Sequence, residues 1–209
     1  MTACFLYPPK TIRLQNIKIS LASIKDVNQI ADVAKKTYMQ MAESYEHSDR
    51  DPGDREKLVE LRFGKEFRGK IFPEEIISKK VLYFIVKDEA SQKIAGYAKI
   101  IFNHSEIATL DKIYLLKDYQ GKMIGSALLR ACLNHALAYG YNKIELATNT
   151  KNKKAIDFYR KHGFVETGKT FSPDIPNSNG SKITDQVMLC NDIAQCLRID
   201  KQFNPIAKM

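Results

Sequence analysis

No apolar run in this 209-residue sequence approaches the length of a membrane span, which argues against a transmembrane helix. The opening stretch Met1-Thr-Ala-Cys-Phe-Leu-Tyr-Pro-Pro9 lacks a basic n-region and a long apolar h-region, so it does not read as a signal peptide. Four cysteines, Cys4, Cys132, Cys190 and Cys196, lie far apart and form no Cys-x-x-Cys pair. Disulfides and a zinc site are therefore not expected, and a reducing, cytoplasmic location fits best. Cys132 falls in an apolar helical pattern and reads as a buried free thiol. The four histidines are scattered, and no metal is inferred. Internal repeats and long linkers are missing too. With 44% apolar residues the chain can bury one sizeable core. The expectation is a single domain over residues 1–209, with a core of about 17–190, a short N-terminal leader and a C-terminal tail.

What the sequence has in excess is positive charge, a formal +9. Charge alone speaks first for solubility, and neither a nucleic-acid nor a membrane partner is assigned from it. Its distribution says more. Lys112, Lys117, Lys122, Arg130, Lys143, Lys151, Lys153, Lys154, Arg160 and Lys161 crowd the middle and later chain, while Glu43–Glu60 is comparatively acidic. One region suits an anionic ligand and the other a cationic one.

Periodicity gives an order of elements. Ile17–Leu21 alternates like a strand, and Asp26 is placed to cap a helix carrying Val27, Ile30, Ala31, Ala34 and Tyr38 at helical spacing. Asp51-Pro-Gly-Asp54 is expected to break the chain before a helix over about Arg55–Phe67, and a short helix follows Pro73. Val81–Val86 reads as a buried strand, Asp88–Lys93 as a hairpin loop, and Ile94–Phe102 and Ile107–Leu116 as strands. Ile124, Leu128, Ala131, Cys132 and Ala136 then mark a helical face that stops near Gly140. Lys143–Asn149 is a strand, Asn152–His162 a helix closed by Gly163, and Ile183–Leu189 a last strand after the Ser172–Ser181 loop. The segment Asn191–Met209 carries little signal. The class is α/β (α+β): early helices, an antiparallel meander, then β-α-β-α.

The most informative stretch runs from Leu110 to Leu129, a strand, a tight polar turn and a helix that starts on glycine and small residues. A helix N-terminus presents free N–H groups and partial positive charge to phosphate oxygens, and glycine lets the backbone come close. Lys122 adds a cation. The stretch is neither a P-loop nor the Gly-x-Gly-x-x-Gly fingerprint.

Tyr119-Gln-Gly-Lys-Met-Ile-Gly-Ser-Ala-Leu-Leu129, followed by Asn152-x-x-Ala-Ile-x-Phe-Tyr159-x-Lys-x-Gly-Phe164, resembles the GCN5-related N-acetyltransferases, the GNAT family. The likeness is best from about Val81 to Leu189, and the arrangement looks closest to the polyamine (spermidine/spermine) acetyltransferase-like branch. It implies a GNAT fold: a central mixed, mostly antiparallel sheet with a V-shaped splay and flanking helices. It also implies transfer of acetyl from acetyl-CoA, as co-substrate and without a metal, to a primary amine such as a polyamine, by direct attack in a ternary complex. The alternatives are a peptide or protein amine as acceptor, or a non-catalytic acyl-CoA-binding module. A homodimer is left open. The family loop Gln/Arg-x-x-Gly-x-Gly/Ala maps onto Gln120, Gly121, Lys122, Met123, Ile124 and Gly125, with Met123 in place of the first motif glycine. If that position needs positive φ, the side chain costs on the order of 1–2 kcal/mol.

By the same resemblance Ile113, Tyr114 and Leu115 would bond the pantetheine arm, and Gln120–Ser126 the pyrophosphate. The Leu115 N–H would stabilise the oxyanion. Asn152 caps its helix on its own merits, and the resemblance adds a contact to CoA. Tyr159 would protonate the departing thiolate, although a tyrosine in this pattern can equally be core. Asp111 is the candidate that takes the proton of the amine, with Glu106 and Tyr114 as alternatives and an exposed structural aspartate as the plain reading. The acidic Glu43–Asp54 segment, after the first helix, is offered as a recogniser of a polycation.

Overall fold

In the computed structural model, residues 11–44, 52–103, 106–172 and 184–203 are described, apart from the side chains of 41–44, 52–55, 58 and 200–203. Eight strands among them form one sheet: β1 Ile12–Leu14, β2 Ile17–Leu21, β3 Val81–Asp88, β4 Ile94–Ile101, β5 Ile107–Leu115, β6 Lys143–Asn149, β7 Val165–Phe171 and β8 Asp185–Cys190. Their order is β1-β2-β3-β4-β5-β6-β8-β7. Every neighbouring pair is antiparallel except β5–β6. Six helices complete the order: α1 Val27–Ser44, α2 Pro52–Phe63, α3 Phe72–Ser78, α4 Ile124–Ala138, α5 Lys153–Lys161 and α6 Ile193–Phe203. The mixed, mostly antiparallel sheet flanked by helices is the expected class.

The apolar run of β3 serves both faces of the sheet. Phe84 and Val86 join the core under α4, with Leu128, Cys132, Ile144, Ile156 and Met188. Tyr83 and Ile85 face α1–α3, where Ile30, Ala34, Phe63, Phe67 and Phe72 close over them. A strand covered on both sides reads as a continuous apolar run. Ring contacts extend the second core from Phe63 through Phe67, Phe72, Tyr83 and Tyr97 to Tyr114, with centroids 4.6–6.4 Å apart.

Several expectations are corrected. Helix α2 begins at Pro52 rather than at about Arg55, because proline fits a first turn, where its missing N–H is not needed; Asp51 lies outside the described residues. The helix expected to reach Phe67 stops at Phe63. A π-type turn over Phe67–Ile71 then leads directly into α3, which begins at Phe72. Strand β1 is only three residues long, and β7 is exposed along nearly its whole length, so neither leaves a hydrophobic pattern. Helix α6 does carry one, since Ile193, Cys196 and Leu197 are buried at helical spacing. The cysteines are also corrected: Cys190 and Cys196 are joined in a disulfide. Strand β8 ends on Cys190, Asp192 accepts from the Gln195 N–H at 3.0 Å, and the first turn of α6 folds Cys196 back over the strand end. Cys132 is free and buried, as expected.

Strands β4 and β5 come close at Gly96, which stands opposite Leu115. A Cβ there would lie 2.6 Å from the Tyr114 carbonyl oxygen and 2.7 Å from Leu115 Cδ1. Gly96→Ala is expected to lower unfolding stability by about 1–3 kcal/mol, because backbone has to give way. Urea denaturation measures it, and an unchanged midpoint would show that the strands separate freely.

Candidate active site

The parallel β5–β6 ladder is short. Ile107, Ala108 and Thr109 pair with Lys143, Ile144 and Glu145, and there it ends. Beyond it β5 stays with β4 while β6 stays with β8, so the two strands diverge and a V opens between them. Backbone groups alternate in direction along an antiparallel pair. The Leu116 N–H donates to the Ala95 carbonyl at 2.9 Å, so Leu115 and Gly96 form a pair that exchanges no hydrogen bonds. Hence Leu115, and Ile113 two residues earlier, turn their N–H and C=O into the V. Tyr114 spends its own on Tyr97.

The register shifts between Lys99 and Ile100, and Asp111 is the extra residue. This bulge changes the phase of the strand, so Leu110 and Ile113, three apart, both face the α4 core. It also turns Asp111 and Lys112 towards a cavity of about 320 Å³ on the α2 side of the sheet. Leu61, Arg62, Phe63, Phe67, Tyr83 and Tyr97 are among its other walls, and Leu61 is largely exposed, so the cavity meets solvent.

The loop after β5 is a short 3-10 turn, Lys117–Tyr119, followed by Gln120–Met123. Tyr119 donates to Asp88 Oδ2 at 2.8 Å. Lys122 lies over the Tyr119 ring at 5.9 Å. Gln120 holds three parts together: its Nε2 donates to the Leu115 carbonyl at 2.8 Å, and its Oε1 accepts from Lys154 of α5 at 2.7 Å. Met123 takes φ +61° as the residue before α4, the left-handed conformation that the family glycine would accept freely. The Ala127 N–H donates to the Met123 carbonyl as the helix begins, so Ile124, Gly125 and Ser126 keep amides without a helical acceptor. Gly121 also has positive φ, with open space where a Cβ would lie. Ser126 is 2.9 Å from His162 Nε2, which locks the start of α4 to the end of α5. Asn152 caps α5, accepting from the Ala155 N–H at 3.1 Å.

Tyr159 stands on α5 with its ring against Phe158 and Phe164. It is buried in the same core that Ile113 and Leu115 pack on. Burial first, then Tyr114 and Cys132, push its phenol well above the ordinary value, so it keeps its proton throughout the neutral range. Tyr114 is half-buried on the other face, and desolvation pushes its phenol up to about 12.

The proton-acceptor candidates fare differently. Burial alone would raise the Asp111 pKa, but Lys112 and Lys99 outweigh it and hold the carboxyl below its usual range. Its oxygens are 2.8 Å from Lys112 and 3.3 Å from Lys99. A carboxylate held in this way is a weak base. Lys99 also pairs with Glu75 at 2.7 Å, and Glu75 accepts from Tyr83. Arg62, Lys99 and Glu75 are the polar groups around the site that sequence reasoning missed. They sit on separate elements, and only the position of Lys99 opposite the bulge brings them together. Glu106 precedes the first residue of β5, roughly 30 Å along the strand from Leu115, so it lies at the wrong end for the V. The Glu43–Asp54 side chains fall outside the described residues.

An open V beside a helix N-terminus defines a class, a sheet protein built to take an extended anionic ligand between two parting strands. Residues 40–164 match the model of the acetyltransferase (GNAT) family, and the chain belongs to that family. It is 38% identical over 80 residues to an uncharacterized N-acetyltransferase of Mycobacterium bovis, a stretch that is 38% of this chain and 51% of that one. The chain thus matches about half the length of that relative. In fold it resembles the ribosomal-protein-S5-alanine acetyltransferase of Vibrio fischeri, with TM-score 0.62, 18% identity and coverage of 86% and 95% of the two chains. It resembles as closely the spermidine N-acetyltransferase of Vibrio cholerae solved with CoA and spermine, with TM-score 0.61, 20% identity and coverage of 88% and 99%. Among the described residues no helix is long and apolar enough to cross a membrane.

Two outcomes follow from the geometry. Met123→Gly relieves the left-handed side chain and is expected to raise stability by about 0.5–1.5 kcal/mol, the lower end reflecting the freer unfolded chain. Chemical denaturation reads it, and a loss of stability would mean that Met123 is unstrained. Asp111 has a lowered folded pKa, so its stabilisation is complete above the unfolded value of about 3.9 and disappears as pH falls through the folded one. The stability gap between the native protein and Asp111→Asn should therefore be flat from pH 5 to 8 and close below about pH 4. A gap that widens in acid would refute the ion-pair account.

Proposed function

We propose that the protein is an acetyl-CoA-dependent N-acetyltransferase acting on the primary amine of a small molecule, by direct attack in a ternary complex. The observation that carries the reading is the pair of β5 residues, Ile113 and Leu115, whose backbone groups face an open V beside the free amides of α4. The residues fit the co-substrate. Ile113 and Leu115 would bond its amide-bearing arm as a missing strand would, and Gln120–Ser126 with Lys122 would hold the pyrophosphate. Gly125 keeps the helix start bare, and a Cβ there would meet only the Phe158 ring at 3.7 Å. Tyr114 contributes its position in β5 more than its backbone, and Asn152 orients the helix that carries Tyr159.

The thioester supplies an activated acetyl group. The acceptor nitrogen attacks its carbonyl carbon, and the Leu115 N–H stabilises the oxyanion. As the C–N bond forms and the C–S bond breaks, Tyr159 donates its proton to the thiolate. The nitrogen gives up a proton to water, and Tyr159 recovers one from solvent. Asp111 serves better as the anchor of Lys99 and Lys112 than as the base.

A polyamine acceptor has the likeness to the spermidine enzyme behind it, but an equal likeness extends to an enzyme named for a ribosomal protein. The cytoplasm remains the compartment of choice: Cys190 and Cys196, at 0% and 3% exposure, are shielded from the thiol reductants that make disulfides rare there. A single domain is part of the proposal, since both cores pack on the one sheet.

Calorimetry with acetyl-CoA, combined with thiol release in the presence of an amine panel, tests the reading. Tyr159→Phe should lower kcat by about 10²–10⁴-fold with acetyl-CoA affinity within threefold of native. An unchanged kcat removes Tyr159 from the chemistry, and no binding at millimolar acetyl-CoA removes the acetyltransferase.

A further inference from the structure

The cavity on the α2 side has a charge balance unsuited to a polycation. Its walls include three cations, Arg62, Lys99 and Lys112, against one carboxylate, Asp111. Asp111 is already shared by both lysines, and Glu75 behind it is taken by Lys99 and Tyr83. A protonated polyamine entering here would have to displace lysines that are covalently fixed in place. Arg62 differs from the two lysines, because it makes no ion pair among the described residues. It stands in the last turn of α2, between aromatic walls formed by Phe63 and Phe67 on its own side and Tyr83 and Tyr97 on the sheet. Its charge also reaches Tyr114, one residue from the Leu115 amide.

We infer that the acceptor is a small amine with an apolar body and an anionic group, carboxylate or phosphate, and that Arg62 binds that anion in the cavity. This rests on the acetyltransferase reading and specifies its acceptor. A guanidinium offers paired donors that match either anion in two parallel hydrogen bonds, a geometry an ammonium lacks. The aromatic walls take the apolar body out of water. Lys112 adds positive field, while Asp111 keeps that field from repelling the incoming amine as strongly as three bare cations would. The cavity reaches β5 at Asp111 and Lys112, and Leu115 lies about 13 Å further along the strand from Asp111. An acceptor held by its anion at Arg62 thus presents its opposite, amine-bearing end along the strand towards the V.

The test is a calorimetric titration of the protein, saturated with CoA and again without it, using para-(aminoethyl)benzoate, phenyl phosphate, phenethylamine and spermidine. At least one of the two anionic probes should bind tenfold or more tightly than phenethylamine, and spermidine should bind weakest. The tighter anion identifies the group. Arg62→Gln should bring the anion preference to within threefold of parity, and Arg62→Lys should retain part of it. Near-UV circular dichroism checks that both variants are folded. Tighter binding of spermidine or phenethylamine, binding of none of the four, or an anion preference that survives Arg62→Gln would overturn the inference. Loss of CoA binding would instead strike the acetyltransferase reading, and the CoA-free titration would still judge the cavity.

Discussion

Strands β5 and β6 share a ladder over only three residues of each, and the backbone of β5 beyond Thr109 has no second neighbour to bond. Buried N–H and C=O groups need partners. At the outer end of β5 one partner comes from Gln120, whose amide takes the Leu115 carbonyl and leaves the Leu115 N–H facing the V. The same side chain ties Lys154 of α5 to the loop, so the strand end, the loop and the second helix are fixed relative to one another. Ser126 and His162 add a second tie between α4 and α5. The candidate site is therefore stiff on its donor side, because each element that would touch the co-substrate is held by a side chain from another.

The proposed acceptor side is organised by a different device. One extra residue in β5 turns Asp111 and Lys112 towards α2 while the apolar residues on either side of them continue into the α4 core. The ring series from Phe63 to Tyr114 spans the space between α2 and the strand. A cavity with aromatic walls and an excess of cations is the result. Its one carboxylate, Asp111, and Glu75 behind it serve the lysines around them, which separates this site from one shaped to accept several ammonium groups.

Much of this was legible in the sequence, and the parts that were not have physical reasons. Lys143–Asn149 and the Asn152 cap stand where spacing and capping put them, because both are set by local rules. Helix α6 was not read from the sequence, because its buried residues Ile193, Cys196 and Leu197 are few and interspersed with polar ones. Exposed β7 and three-residue β1 had no pattern to offer. The disulfide depended on a strand-to-helix turn that residue spacing alone does not show. The Asp111 bulge depended on pairing with β4, and with it went the roles of Lys99 and Arg62, which lie on other elements. A side chain's ionisation is a property of its neighbours, so Asp111 could be named as a candidate base from sequence but not weighed as one.

Met123 has a consequence for how such loops are recognised. The left-handed backbone that glycine usually supplies is present, held by the turn before it and by the helix that starts after it. In this chain the angle is kept although the letter differs from the motif. A signature written with an obligatory glycine there would pass over this chain, whereas a comparison of backbone conformations would not. This loop holds its bend without the glycine because the turn and the helix around it impose it.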